Sequence, residues 1–100
     1  MSIDKLGDIE EAEGNLSVAR RLYAECLEIR RTLQVRLGTP ASLRDLVISY
    51  YKIASVSFGD EQLDWARNGL EVAKELAASF PDYPAQVFEF MQQYCSDLDN

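Results

Sequence analysis

The chain has 100 residues, 47% of them hydrophobic and 27% charged, which is the composition of one ordinary globular domain rather than of a disordered segment. Its formal net charge of −7 opposes sequence-independent binding to the phosphates of a nucleic acid. The sequence contains no histidine, so it lacks the commonest general base, the usual zinc ligand and any histidine-dependent nucleophile system. We therefore expect a single domain over residues 1–100 that is not an enzyme, with no catalytic residues, no metal site, no cofactor and no nucleic-acid partner.

The sequence also bears on where the protein resides. No apolar stretch approaches the ~20 residues that a membrane span needs. The first residues have neither the basic region nor the apolar core of a signal peptide. Cys26 and Cys95 are too few for a disulfide framework, so a reducing compartment is the default. We expect a cytoplasmic protein with no membrane contact.

Glycine and proline residues divide the chain into segments with helical patterning. The breaks are Gly14-Asn15, Gly38-Thr39-Pro40, Gly59-Asp60 and Pro81-Asp82-Tyr83-Pro84. Helices are predicted over residues 2–13, 16–37, 41–58, 61–80 and 84–97. The β-branched runs are short and isolated, so no sheet is expected and the predicted fold class is all-α.

The apolar patterns of these segments predict which helices are buried. In the second helix, one stripe with three- and four-residue spacing contains Ala19, Leu22, Tyr23, Cys26, Ile29, Leu33 and Leu37. The third helix is apolar on two sides and is expected to lie between neighbouring helices. Polar residues at the breaks predict the helix caps, which are Thr39 or Ser42 for the third helix, Asp82 for the fifth, and Asn15 and Asp60 for the second and fourth.

The two halves of the chain resemble each other at an offset of 47 residues. This shift aligns Lys5–Ile9 with Lys52–Val56. It also places Leu16, Ala19, Tyr23, Cys26 and Ile29 of the second helix on Leu63, Ala66, Leu70, Ala73 and Leu76 of the fourth. Both copies contain a helix, a Gly-polar turn and a second helix, with small residues in corresponding places. The pattern predicts a repeated helical hairpin.

The first hairpin has a large residue, a Leu-Gly pair and a Gly-polar turn, followed by a small, an aromatic and a second small residue. These residues are Ile3, Leu6, Gly7, Gly14, Ala19, Tyr23 and Cys26. At this spacing the hairpin resembles a tetratricopeptide repeat, and its long second helix is similar to the longer-period bacterial members. The second copy departs from the pattern, since Ala54 stands in place of the glycine and Leu70 in place of the aromatic.

The resemblance implies a superhelix of about two repeats, over residues 2–38 and 41–80, followed by a C-terminal helix over 84–98. Tetratricopeptide proteins are protein-interaction modules, whose first helices line a groove that receives a peptide or a partner helix. The matching positions of this chain, spaced i, i+4, i+7 in each copy, are Asp4, Asp8, Glu11, Tyr51, Ser55 and Phe58. An acidic stripe beside an aromatic one suits a peptide with Lys or Arg near one end and apolar anchors beyond it.

Two alternatives stay open. Tyr51 and Phe58 could simply pack against the last helix. That helix is apolar over most of its circumference, more than one hairpin can cover, which predicts self-association through Phe88, Phe90, Met91 and Tyr94. Two repeats are also fewer than the roughly three that such stacks normally need. The alternative to a peptide-binding module is therefore a small oligomerising or chaperone-like subunit, which would form a homodimer.

Overall fold

The computed structural model describes residues 3–99, and over that range it consists of helices and their connections, without a strand. The helices are α1 (Ile3–Ala12), α2 (Leu16–Leu37), α3 (Pro40–Ser55), α4 (Gly59–Ser79) and α5 (Gln86–Asp99). The all-α prediction is confirmed. The predicted start of the first helix at residue 2 lies outside the described residues.

The connection between α2 and α3 follows the predicted local chemistry. Gly38 ends α2 in the left-handed conformation, with φ +59°, and its N–H donates to the carbonyl of Gln34. Thr39 then caps α3. Its Oγ1 accepts from the Ser42 N–H at 3.1 Å, and the Ser42 Oγ accepts from the Thr39 N–H at 3.0 Å. With Pro40 in the first turn, this reciprocal box satisfies two of the free N–H groups that open the helix.

Three of the predicted caps are wrong, and several helix ends differ from the predicted ones by one to three residues, most at the end of α3. The Asn15 side chain donates to Glu10 instead of capping α2, and the N-cap position of α4 is Phe58 rather than Asp60. α5 begins at Gln86, after a turn, and not at residue 84, so Asp82 lies too far away to cap it. α3 ends at Ser55 and not at residue 58, because the chain tightens there into bonds from Val56 and Ser57 to carbonyls three residues back.

Each helix packs against the next one along the chain, and α3 also touches α5. α3 is therefore the most enclosed helix, as its two apolar sides predicted. One cluster of the core joins α2 and α3 and contains Ala19, Tyr23, Leu27, Leu46, Tyr50, Ile53 and Val56. Two others join α3, α4 and α5, around Val47, Ala73 and Met91 and around Ala54, Ala66 and Cys95. The superhelical stacking that the resemblance implies stays a prediction.

Close approach of α1 to α2 depends on Gly7. The glycine lies directly on the ring of Tyr23, so that an added Cβ would lie 2.6 Å from the ring Cε1. α1 has 10 residues and α2 has 22, so α1 covers only part of its neighbour. The predicted apolar stripe of α2 is accordingly buried at Ala19 and Tyr23 and exposed at Leu33.

Candidate functional site

A small apolar cavity opens between α3 and α5. It has a volume of about 160 Å³, close to the ~150 Å³ of an apolar cavity that admits benzene. Its lining residues are Val47, Ile48 and Tyr51 of α3 and Gln86, Val87, Phe90 and Met91 of α5. We call this cavity the α3–α5 pocket. It has room for one apolar side chain.

An aromatic cluster forms one wall of the α3–α5 pocket. The Tyr51 ring meets Phe90 and Tyr94 edge-on, with both centroid separations at 5.0 Å and interplanar angles of 78° and 73°. Phe90 and Tyr94 are one helical turn apart on α5, and their rings are nearly parallel at 6.3 Å. Gln62 of α4 donates to the Tyr94 hydroxyl at 3.3 Å. Edge-to-face contacts of this kind hold the wall in a defined shape without a ligand.

Three of the four acidic residues of α1 lie on the other side of α3, and we call them the carboxylate cluster: Asp4, Asp8 and Glu11. The Tyr23 hydroxyl lies 2.6 Å from Asp8 and 2.9 Å from Glu11, as a donor to either carboxylate. Lys52 of α3 donates to Asp4 at 2.8 Å and to Asp8 at 3.2 Å. The cluster is therefore bonded to α2 and α3 within the chain.

Arg30 extends this polar network along α2. Its guanidinium lies 3.7 Å from Asp4, and it donates to the Ser49 hydroxyl at 2.7 Å and to the Asp45 carbonyl at 3.2 Å. Since Arg30 stands on α2, Asp4 on α1 and Ser49 on α3, one side chain connects three helices. This cation and Lys52 together balance two of the three negative charges of the carboxylate cluster.

The network shifts the ionisation of its members. Burial raises the pKa of Tyr23, and the adjoining Asp8 and Glu11 carboxylates raise it further because they disfavour the phenolate. Burial alone would also raise the pKa of Asp8, but hydrogen bonds from Tyr23 and Lys52 outweigh it and the pKa falls below 3.8. Burial opposes the charge of Lys52, yet Asp4 and Asp8 raise its pKa above 10.5. All three groups keep their neutral-pH charge state.

The predicted peptide-binding residues thus divide into separate groups. Tyr51 lines the α3–α5 pocket, and the carboxylate cluster is linked to Lys52. Ser55 lies on the surface of α3 and donates its hydroxyl to the Lys52 carbonyl. Phe58 comes after the end of α3 and is 66% exposed, so it does not continue the row of Tyr51 and Ser55. Tyr51 packs against the last helix through Phe90 and Tyr94, which was the simpler alternative for this residue.

The predicted self-association residues of the last helix are mostly covered within the chain. Met91 is completely buried between α3 and α4, so it lines the α3–α5 pocket but adds no exposed surface to a subunit interface. Phe88 and Tyr94 are partly buried, and Phe90 is 51% exposed. The helix is apolar around most of its circumference because it packs on α4, on α3 and along the pocket. Its pattern therefore does not require a second subunit.

Sequence reasoning missed several residues of the site. By helical spacing, Ile48 and Tyr51 belong to one apolar side of α3 and Val47 to the other, and nothing local pairs them with Val87 on α5. Lys52 aligns with Lys5 in the repeat, and the sequence around it does not indicate a contact with α1. The partnership of Lys52 with Asp8 spans 44 residues of sequence.

Comparison with protein-family models, curated proteins and solved structures gives no match to this chain. The tetratricopeptide resemblance therefore remains a prediction that rests on the quoted residues. Within residues 3–99, no helix combines the length and apolar character that crossing a membrane requires.

Proposed function

We propose that the chain is a protein-interaction module that binds a peptide or a partner helix along the face of α3 between α1 and α5. The observation that carries this proposal is the α3–α5 pocket, which is apolar, concave and formed without a ligand. Pockets that bind ligands are typically of this kind, with a few polar groups at the edge. Gln86 supplies such a group here. The proposed role is binding without turnover.

The order of side chains along α3 supports a continuous binding face. Tyr51 and Lys52 are adjacent in sequence, yet Tyr51 contacts α5 and Lys52 contacts α1. The surface of α3 between these two contacts includes the partly buried Ile48 and Ser55. A ligand segment lying on Ile48 and Ser55 would therefore have the aromatic wall on one side and the carboxylate cluster on the other.

The expected ligand has an apolar anchor for the pocket and a basic residue near the carboxylate cluster. Burying one Leu or Phe side chain fully contributes about 1.5–3 kcal/mol, so the anchor would contribute more to the affinity than any single exposed charge pair, which is worth about 0–1 kcal/mol. Lys52 and Arg30 already neutralise much of the cluster, which leaves Glu11 as the carboxylate without a cationic partner among the described residues. Its charge would act mainly on orientation and association rate.

The test begins with selection of peptides from a random displayed library on the wild-type chain, followed by fluorescence anisotropy of a selected peptide. Ile48→Asp places a charge on the binding face, and Phe90→Ala removes one wall of the pocket. Each should weaken binding by about tenfold or more. Phe58→Ala is the matched control, because Phe58 is an exposed aromatic away from the pocket, and it should leave the affinity unchanged.

Glu11→Lys provides the electrostatic arm of the test. It should lower the association rate of a basic peptide and weaken the dependence of affinity on salt. Circular dichroism of each variant checks that the helices are retained. Selected peptides without an apolar residue, or equal affinity for wild type and for both pocket variants, would show that the α3–α5 pocket is not the binding site.

A further inference from the structure

The C-terminal half of α2 carries an apolar row that α1 touches only at its first residue. Ile29, Leu33 and Leu37 follow one another at four-residue spacing and are 50%, 43% and 60% exposed. We call this row the α2 stripe. At about 1.5 Å per residue, α1 is roughly 15 Å long and α2 roughly 33 Å, so half of α2 extends beyond its partner. Ile3, at the start of α1, lies beside Ile29 in a shallow apolar hollow.

Two unpaired charges flank the α2 stripe. Glu25 and Arg36 are eleven residues apart, which is three helical turns, so they project from nearly the same side of α2. Both are exposed, and neither makes an ion pair within residues 3–99. Of the other charged residues of α2, Arg31 meets Glu28 at 3.2 Å and Arg30 meets Asp4, whereas Arg20 and Arg21 make no ion pair within residues 3–99 and lie about one turn before Glu25, outside the stripe. The acidic residue lies before the stripe and the basic one at its far end.

This arrangement is self-complementary under a two-fold rotation. Two α2 helices packed antiparallel, with the axis between residues 30 and 31, bring Glu25 of each copy to Arg36 of the other. The same rotation gathers Ile29 and Leu33 of both copies around the axis. A parallel pairing would instead oppose like charges. From the uncovered stripe and this charge order we infer that the α2 stripe is a homodimer surface, and that its occupant is a second copy of this chain.

The interface is small, which sets the expected strength. Stable complexes bury about 800 Å² on each partner, and a stripe of three half-exposed side chains with its flanks covers less. The dimer should therefore be weak, with a dissociation constant in the micromolar-to-millimolar range. The two Glu25–Arg36 pairs at the edge would fix the antiparallel register more than they add affinity.

Sedimentation velocity on the full chain, from low micromolar to near-millimolar concentration, tests the surface. The wild-type sedimentation coefficient should rise with concentration as dimer forms. Leu33→Glu should raise the dissociation constant about tenfold or more. Val35→Glu is the matched control, because Val35 is 81% exposed on the opposite side of the same helix and should leave association unchanged.

A charge exchange tests the register independently. Glu25→Arg and Arg36→Glu should each weaken self-association, because each places like charges at the two-fold-related pairs. A mixture of the two variants should form a heterodimer with wild-type strength, because the mixed pairs are again opposite in charge. A wild-type chain that remains monomeric across the concentration range would overturn the inference. So would association that Phe90→Asp abolishes and Leu33→Glu does not, since this would place the surface on α5.

Discussion

Gly7→Ala is the sharpest test of how α1 is held. An alanine Cβ would lie 2.6 Å from Cε1 and 2.8 Å from Cδ1 of the Tyr23 ring, inside any normal contact distance. The ring has little room to retreat, because Tyr23 is buried in the cluster that joins α2 and α3. Its hydroxyl is also fixed between Asp8 and Glu11. The strain must therefore displace α1.

The magnitude follows from two opposing effects. Alanine in a helix interior is more favourable than glycine by about 0.5–1 kcal/mol. Overpacking a well-filled contact costs about 1–3 kcal/mol. We expect Gly7→Ala to lower the free energy of unfolding by about 1–2 kcal/mol, equivalent to several degrees in Tm for a domain of this size. The loss cannot exceed the docking free energy of α1, because beyond it α1 would detach and α2 to α5 would stay folded.

Urea denaturation followed by circular dichroism measures the effect, and a double-mutant cycle isolates its cause. In a Tyr23→Leu background the ring is absent, so Gly7→Ala should become neutral or stabilising. Asn68→Ala is the control for helix propensity alone, since Asn68 is exposed on α4, and it should change stability by only a few tenths of a kcal/mol. A Gly7→Ala chain more stable than wild type would refute the account of α1 docking.

Two further predictions concern the cap of α3 and the polar network. Thr39→Ala removes the acceptor for the Ser42 N–H and should lower the free energy of unfolding by about 1 kcal/mol in urea denaturation, whereas Thr39→Ser should retain most of it. An unchanged midpoint for Thr39→Ala would contradict the capping box. The pKa of Asp8 is depressed on folding, so its stabilisation is present above pH 3.8 and is lost as the pH falls through the folded value. This contribution is below about 1 kcal/mol, because the carboxylate is half exposed. Tm measured against pH should fall less steeply in acid for Asp8→Asn than for wild type. Parallel curves would show that Asp8 does not contribute to the loss of stability in acid. Lys52 has the opposite sign: its pKa is raised, so its stabilisation is present below pH 10.5 and is lost as the pH rises through the folded value.

The helices and the turn before α3 could be read from the sequence, because their causes are local. Gly38 supplies a left-handed backbone, and Thr39 with Ser42 caps the next helix within four residues of chain. The wrong cap prediction at Asn15 also has a local cause. At Asn15, the side-chain amide can donate to a carboxylate or accept from the free N–H groups of α2, and in the structure it donates to Glu10. Propensity does not decide between these two hydrogen bonds.

The site required the tertiary structure. The spacing of Asp4, Asp8 and Glu11 places them on one side of α1, but it does not say whether they meet a ligand or a cation of the same chain. Asp4 and Asp8 pair with Lys52 of the same chain only because α3 packs at a particular rotation and distance from α1. The α3–α5 pocket likewise depends on which part of α5 faces Tyr51.

The sequence by itself determined the all-α class, the order of the helices and the central place of α3, since hydrophobic periodicity and Gly-Pro punctuation act within each segment. Only the tertiary structure decided which apolar residues are covered. Met91 and Leu33 both belong to apolar stripes, yet Met91 is completely buried and Leu33 is half exposed. The difference arises because burial depends on whether a neighbouring helix is long enough and close enough to cover a given turn. α4 and α3 enclose Met91, whereas α1 begins beside Ile29, about one helical turn before Leu33.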